Sequence, residues 1–69
     1  MGPASVVVNG RPLPWRPHLT LAALLQELGA SGAGVAVERN ARVVRRSEHA
    51  STLLEPGDRI EIVRLVGGG

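Results

Sequence analysis

The residues with the clearest chemical potential lie at the end of the chain. A segment with strand character leads through Leu65 and Val66 into Gly67, Gly68 and Gly69. Because glycine has no Cβ, such a tail can lie extended in a channel too narrow for other residues and present its terminal carboxylate to a buried active site. Frayed glycines are an equally good interpretation from composition alone, since chain ends are commonly disordered.

Side chains elsewhere lack the groupings that catalysis or metal binding requires. The chain has no cysteine and all eight of its cationic side chains are Arg, which excludes a thiol nucleophile, a Schiff-base lysine and a P-loop. His18 and His49 stand in different loops without a His, Cys or Asp partner at metal-ligand spacing, so each is interpreted as solvent-facing or helix-capping. Glu55 and Asp58 flank a predicted turn, where Asp58 is expected to accept hydrogen bonds from backbone amides. The sequence therefore predicts no catalytic side chain and no metal site.

A charged cluster surrounds a predicted turn at Asn40. A solvated surface is the favoured interpretation of this cluster, and contact with an acidic protein partner is the main alternative. The net charge is only +2 and Trp15 is the sole aromatic residue, so the stacking surface of single-stranded nucleic-acid binders is missing. The cluster consists of Glu38, Arg39, Arg42, Arg45 and Arg46.

Size and composition predict one small globular domain. A chain of 69 residues is stabilised only marginally, and 43% hydrophobic residues without Phe or Tyr imply a core of Val, Leu, Ile and Ala. The longest aliphatic runs are too short for a transmembrane helix or a signal peptide, so we expect a cytoplasmic protein.

Turn-forming residues, prolines and helix caps divide the chain into short elements. Asn9-Gly10 predicts a two-residue hairpin turn, and two prolines in the returning strand predict that this strand lies at a sheet edge. A helical leucine repeat follows, with Thr20 as the expected N-cap and Gly29 as the stop of a helix of about nine residues. The predicted strands cover residues 5–8, 11–15, 35–39, 42–45 and 59–65, one short helical turn is possible within residues 47–54, and residues 55–58 form a type II turn.

This order of elements predicts an α+β roll, in which a mixed sheet of about five short strands packs on one main helix. The first and last strands are expected to pair in parallel, because a helix connects them. In the last strand, Ile60 and Ile62 share one face, and Val63 and Leu65 share the other. Val63 and Leu65 are therefore candidates for an exposed apolar docking surface, although a bulge near the strand end would bring one or both into the core. The domain is predicted over residues 1–66, with a glycine tail at residues 67–69.

Several segments resemble the ThiS family of sulfur carriers in thiamine biosynthesis. The similarity includes the Val8-Asn9-Gly10 hairpin, the helix from Leu21 to Gly29 and the terminal glycines, and it extends over nearly the whole chain. Its remaining segments are Val35-Ala36-Val37-Glu38-Arg39-Asn40, Val43-Val44-Arg45-Arg46-Ser47-Glu48 and residues 54–63. The resemblance implies a β-grasp, ubiquitin-like fold, which agrees with the predicted order of elements.

The resemblance also implies a mechanism. A ThiF-type adenylyltransferase would use ATP and Mg²⁺ to join the Gly69 carboxylate to AMP, and sulfur from a cysteine desulfurase relay would then convert it to a thiocarboxylate. Thiazole synthase, ThiG, would accept that sulfur. In this interpretation Gly67 and Gly68 enter the partner's channel, while Val63, Leu65 and Val66 contribute to docking. The chain itself would be a carrier that binds no cofactor, nucleic acid or membrane.

Three alternatives remain open from the sequence. A sulfur carrier on the same fold could serve molybdopterin synthesis or tRNA thiolation. A ubiquitin-like modifier would use the same Gly69 carboxylate to modify lysines of other proteins. An interaction or nucleic-acid-binding module would leave the tail without a role.

Overall fold

The computed structural model describes residues 2–65, which form one mixed five-stranded sheet with one α-helix packed on it. The strand order is β2-β1-β5-β3-β4; β1 and β5 are parallel and the other neighbouring pairs are antiparallel. This confirms the predicted architecture and the parallel pairing of the first and last strands. The elements are β1 (Ser5–Val8), β2 (Arg11–Pro14), α1 (Leu21–Glu27), β3 (Val35–Arg39), β4 (Arg42–Val44), a 3-10 helix (Arg46–Ser51) and β5 (Arg59–Arg64). The predicted end of the domain at residue 66 and the tail at residues 67–69 lie outside the described residues.

The β1–β2 hairpin places β2 at the sheet edge, as its prolines predict. Asn9 and Gly10 form the turn with φ angles of 48° and 84°, the left-handed conformations that a type I′ turn requires. Pro12 and Pro14 lie opposite Val7 and Ser5. The Trp15 amide donates to the Ala4 carbonyl at 3.0 Å, so by alternation the prolines occupy positions where an amide hydrogen would point to solvent. They therefore cost the β1–β2 ladder no hydrogen bond.

Helix α1 begins and ends where the local signals place it. The Thr20 hydroxyl accepts from the Ala23 amide at 3.1 Å, and Gly29 has a φ of 70° directly after the C-cap residue Leu28. The helix is seven residues long rather than about nine, because Leu28 and Gly29 belong to its C-terminal cap. No helix within residues 2–65 is long and apolar enough to cross a membrane.

The core is aliphatic, as the composition predicts. Leucines on one face of α1 pack against valines and isoleucine of β1, β3 and β5. Trp15 lies at the margin of this core, where its indole Nε1 donates to the Leu54 carbonyl at 2.8 Å. The buried apolar residues are Val6, Val8, Leu19, Leu21, Leu24, Leu25, Ala30, Val37, Leu54 and Ile60.

Two tight turns organise the second half of the chain. Asn40 and Ala41 join β3 to β4 with φ angles of 51° and 69°, so this hairpin also has a two-residue turn of left-handed conformation. The short helical turn predicted within residues 47–54 corresponds to the 3-10 helix Arg46–Ser51. Gly57 has a φ of 87°, and the Asp58 amide donates to the Glu55 carbonyl at 3.1 Å, which confirms the predicted turn before β5.

Candidate functional site

The last strand presents apolar side chains to solvent on one face near its end. Ile60 is fully buried and Ile62 half-buried on the face toward α1, whereas Val63 is 55% exposed and Leu65 62% exposed. Strand alternation therefore continues to the end of β5 without a bulge that turns either side chain into the core. The exposure of Val63 and Leu65 is confirmed, and their role in docking stays a prediction.

Neighbouring strands extend this exposed surface across the sheet. Ala36 lies opposite Val63, and Glu38 lies between Glu61 on β5 and Val43 on β4. Ala36 is half-buried and the other four are exposed. We call these five residues the open sheet face; it combines apolar side chains with a central pair of carboxylates.

The two carboxylates of the open sheet face are directly opposed. Glu38 and Glu61 are register partners on β3 and β5, and like charges at such positions destabilise a sheet. Within residues 2–65 neither forms an ion pair with an Arg side chain. The fold thus carries an electrostatic cost at this face.

Replacing one of these two carboxylates should increase the stability of the fold, because it removes the repulsion between them. We expect Glu38→Gln to raise the free energy of unfolding by about 0.2–1 kcal/mol at low salt, because it removes the repulsion but keeps the side chain's size. The gain should shrink at high salt, where exposed charges are screened. Urea denaturation at two salt concentrations measures both effects. Glu48→Gln, at an exposed carboxylate outside the sheet, is the control, and an equal gain there would contradict the explanation.

Asn9 holds the end of β5 beyond the last β1–β5 pair. Its side-chain Oδ1 accepts from the Ile62 amide at 2.7 Å, and its Nδ2 donates to the Ile62 carbonyl at 3.3 Å. On the opposite edge, the Leu65 amide donates to the Gly34 carbonyl at 2.6 Å. Ile62 is therefore bonded on the β1 side and Leu65 on the β3 side. The sequence predicts Asn9 only as a turn residue, since nothing local signals a partner 53 positions away.

Asp58 joins the turn before β5 to the β3–β4 hairpin. Its carboxylate accepts from Arg39 Nε at 2.9 Å, Asn40 Nδ2 at 3.1 Å and the Glu55 amide at 2.8 Å. Burial alone would raise the pKa of Asp58, but the hydrogen bonds from Glu55, Asn40 and Arg39 together hold this pKa below its ordinary value. The predicted bond to a backbone amide is confirmed. Arg39 departs from the predicted solvated surface, because its guanidinium pairs with this buried carboxylate.

The remaining chemical candidates are dispersed. His18 is exposed, and the half-buried His49 places Nε2 3.1 Å from the Val44 carbonyl. Arg42, Arg45 and Arg46 are exposed, as a solvated surface requires. Within the described part of the chain, no three His, Asp or Glu side chains are grouped so that they could hold a metal ion.

The predicted tail residues Val66, Gly67, Gly68 and Gly69 lie outside the described residues. Their assigned roles, sulfur and AMP attachment at Gly69, entry into a partner channel at Gly67 and Gly68, and docking at Val66, stay predictions. The described residues before them form strand β5, whose end is held by hydrogen bonds and whose outer face is exposed.

Comparison with solved structures identifies close relatives of the fold. The crystal structure of the thiamine biosynthesis protein ThiS from Geobacter metallireducens aligns with a TM-score of 0.77 and 32% identity, covering 94% of this chain and 99% of that one. The solution structure of a thiamine biosynthesis protein from the same organism aligns with a TM-score of 0.72. The fold is the β-grasp.

Sequence comparison finds similar segments in proteins of two kinds. Thiazole synthases from Paramagnetospirillum magneticum and Magnetococcus marinus are 42% identical to this chain over 64 and 62 residues, which cover 93% and 90% of it. This chain spans only about a fifth of their length, 20% and 19% respectively. The uncharacterized protein ycf40 of Porphyra purpurea is 32% identical over 65 residues, 94% of this chain and 92% of its own.

The family profile of ThiS matches residues 6–69, from the first core valine to the last glycine. Together with the shared fold, this match shows that the chain belongs to the ThiS family.

Proposed function

We propose that the terminal carboxylate of Gly69 carries sulfur to thiazole synthase after activation by an ATP-dependent adenylyltransferase of the ThiF type. The observation that carries this proposal is the family match, which extends through residue 69 and so includes the glycine tail. The hydrogen bonds at the end of β5 support it, because they fix the position of the last described residues before the tail.

The proposed chemistry takes place entirely at the tail. A carboxylate oxygen of Gly69 attacks the α-phosphorus of ATP and releases pyrophosphate, which leaves an acyl adenylate with AMP as a good leaving group. The outer sulfur of a persulfide on a cysteine desulfurase relay then attacks the acyl carbon and expels AMP. A second thiolate of the donor attacks the inner sulfur of the resulting acyl disulfide, forming a donor disulfide and releasing the Gly69 thiocarboxylate.

The composition of the chain suits this carrier role. The chain contains neither cysteine nor lysine, so no internal thiol or ε-amine competes for the activated Gly69 carbonyl. We assign ATP and Mg²⁺ to the activating enzyme rather than to the carrier. The carrier then supplies a docking surface and a reactive end.

Two relatives support thiazole synthase as the acceptor. In P. magneticum and M. marinus, a segment 42% identical to this chain is part of a protein called thiazole synthase. Covalent linkage in those proteins keeps the carrier-like segment near the synthase. We infer that the corresponding domain of this chain reaches the same partner by docking.

Docking has to offset the cost of ordering the tail. Fixing a backbone costs about 1–2 kcal/mol per residue, and more for glycine. We assign this contact to the open sheet face and Leu65, and we propose that Val66 contributes to it. The apolar side chains of this face would be desolvated on binding, while its central carboxylates, Glu38 and Glu61, would meet a cationic group of the partner.

A substitution on the open sheet face tests this assignment. We expect Val63→Ser to weaken binding to thiazole synthase by about fivefold or more, because it removes a large apolar side chain from the contact. Isothermal titration with the purified synthase measures the change. Leu53 is also 55% exposed but lies outside β5, so Leu53→Ser is a matched control. Equal losses in both variants would contradict docking through β5.

Intact mass tests the carrier chemistry itself. Incubation with the activating enzyme, ATP, Mg²⁺ and a sulfur donor should add about 16 Da, the exchange of one oxygen for sulfur. An unchanged mass with an enzyme that modifies another ThiS protein would overturn the proposed function.

A further inference from the structure

One backbone edge of β5 is free at its end. The pairs Arg59–Asn40 and Leu65–Gly34 show that odd-numbered residues of β5 direct their amides and carbonyls toward β3. Residues 60 and 62 direct theirs toward β1 and Asn9, so Arg64 points its amide and carbonyl in the same direction. The β1–β5 ladder, however, ends at Val8 and Ile60.

Asn9 closes only part of this edge. Its side chain forms hydrogen bonds with both the amide and the carbonyl of Ile62. It thereby makes the two bonds that one residue of an adjacent strand would otherwise make. Beyond it, no strand within residues 2–65 lies beside Arg64. A free edge of this kind is where an extended segment of another protein can add to a sheet.

An apolar groove lies on the inner side of this edge. It has a volume of about 580 Å³ and is formed between the end of α1 and the strands β1, β2 and β5. Leu13, Leu28 and Ile62 line it, and Leu28 is exposed although it is a large apolar residue. The groove can therefore receive the inward-facing side chains of an added segment.

The rim of the groove is positively charged. Arg11 and Arg64 both lie on it, and within residues 2–65 no carboxylate is within 4.0 Å of either guanidinium. Arg64 instead donates to the Gly29 carbonyl at 3.1 Å, at the C-terminal end of α1, a position that favours a cation. The carboxylates of the open sheet face lie on the opposite side of the sheet, so an occupant of the groove should be acidic.

We infer that thiazole synthase places an extended, acidic segment along the free edge of β5, with its backbone bonded to the amide and carbonyl of Arg64. Apolar side chains of that segment enter the groove, and its carboxylates contact Arg11 and Arg64. This inference rests on the proposed carrier function. It adds a second contact, on the edge of β5, to the one proposed for the open sheet face.

Amide hydrogen exchange, read residue by residue by NMR, tests the added strand. In the free carrier, the Arg64 amide should exchange fast while those of Val63 and Leu65, which face β3, are protected. In the complex with thiazole synthase, exchange at Arg64 should slow by about tenfold or more. An Arg64 amide that stays fast in a saturated complex would overturn the inference. So would protection that grows with carrier concentration alone, because a second copy would then cover the edge.

A pair of substitutions separates the backbone bond from the charge. Arg64→Ala and Arg64→Pro both remove the guanidinium, but only proline removes the amide hydrogen. Since that hydrogen bonds nothing in the described chain, proline should leave the β3–β5 ladder intact. We expect Arg64→Pro to bind thiazole synthase about threefold to tenfold more weakly than Arg64→Ala. Equal affinities, with both variants folded by circular dichroism, would contradict strand addition.

The same samples distinguish this inference from the proposed function. Suppose that the wild-type carrier binds thiazole synthase and gains about 16 Da with the activating enzyme, yet Arg64 stays unprotected. Only the strand addition then fails. A carrier that neither binds the synthase nor gains mass overturns both.

Discussion

Deletion of Gly69 is expected to abolish the gain of about 16 Da while leaving the fold unchanged. The truncated chain ends in a carboxylate on Gly68, which is one residue, or about 3.3–3.6 Å, short of the reactive position. Adenylation requires the attacking carboxylate oxygen and the α-phosphorus of ATP to lie about 3–3.5 Å apart, so a displacement of this size removes productive geometry. Intact-mass measurement after incubation with the activating enzyme, ATP and sulfur donor gives the result.

An extended chain controls for the loss of a residue. Adding one alanine after Gly69 retains every native residue but moves the carboxylate in the opposite direction and introduces a Cβ into the channel. This variant should also gain no sulfur. Both chains should unfold at the wild-type urea concentration, because their changes lie outside the core of residues 6–60. Sulfur transfer to either variant at the wild-type rate would refute the assignment to Gly69.

Local signals in the sequence predicted the elements of the described fold. Asn9-Gly10 and Pro56-Gly57 each require positive φ at known turn positions, and the structure has it there. Thr20 caps the helix because its hydroxyl reaches an amide three residues ahead. The prolines of β2 exclude a central strand, which places this strand at an edge. In each case the cause lies within a few residues.

Contacts between distant segments could not be predicted in this way. Asn9 forms a hydrogen bond with Ile62, and Arg39 forms one with Asp58. Both contacts depend on the register between neighbouring strands. Hydrophobic alternation defines which face of β5 is buried but not that register. The free edge at Arg64 follows from the same register, so it became visible only in the structure.

The register also separates charge across β5. Glu38 and Glu61 lie on the open sheet face, whereas Arg11 and Arg64 lie on the rim of the groove on the other side. A partner that contacts both must present a cation to one side and carboxylates to the other. Such an arrangement favours one orientation of the partner on the sheet over the reversed one.

Replacement of Asp58 by alanine is expected to lower the free energy of unfolding by about 3 kcal/mol, since it breaks a buried charge pair by removing one partner. The Asp58 side chain is 7% exposed and that of Arg39 27%, so Arg39, Asn40 Nδ2 and the Glu55 amide would each lose a shielded acceptor. A domain of this size has roughly 3–10 kcal/mol in total. Urea denaturation at neutral pH should show a large loss, and Glu55→Ala, at an exposed neighbour, should change stability by less than about 0.5 kcal/mol.

The pH dependence of this effect follows from the lowered pKa of Asp58. The unfolded chain binds a proton at Asp58 near its ordinary pKa of 3.8, while the folded chain does so only at lower pH. The stability that the carboxylate contributes is therefore full above that ordinary value and is lost as the pH falls through the lower, folded value. We expect the difference in stability between the wild type and Asp58→Asn to narrow progressively below about pH 4. A difference that stays constant from neutral pH to about pH 2 would show that the charge of Asp58 contributes nothing to stability. Hydrogen bonds that an uncharged side chain of the same size can also accept would then be enough to join β5 to the β3–β4 hairpin.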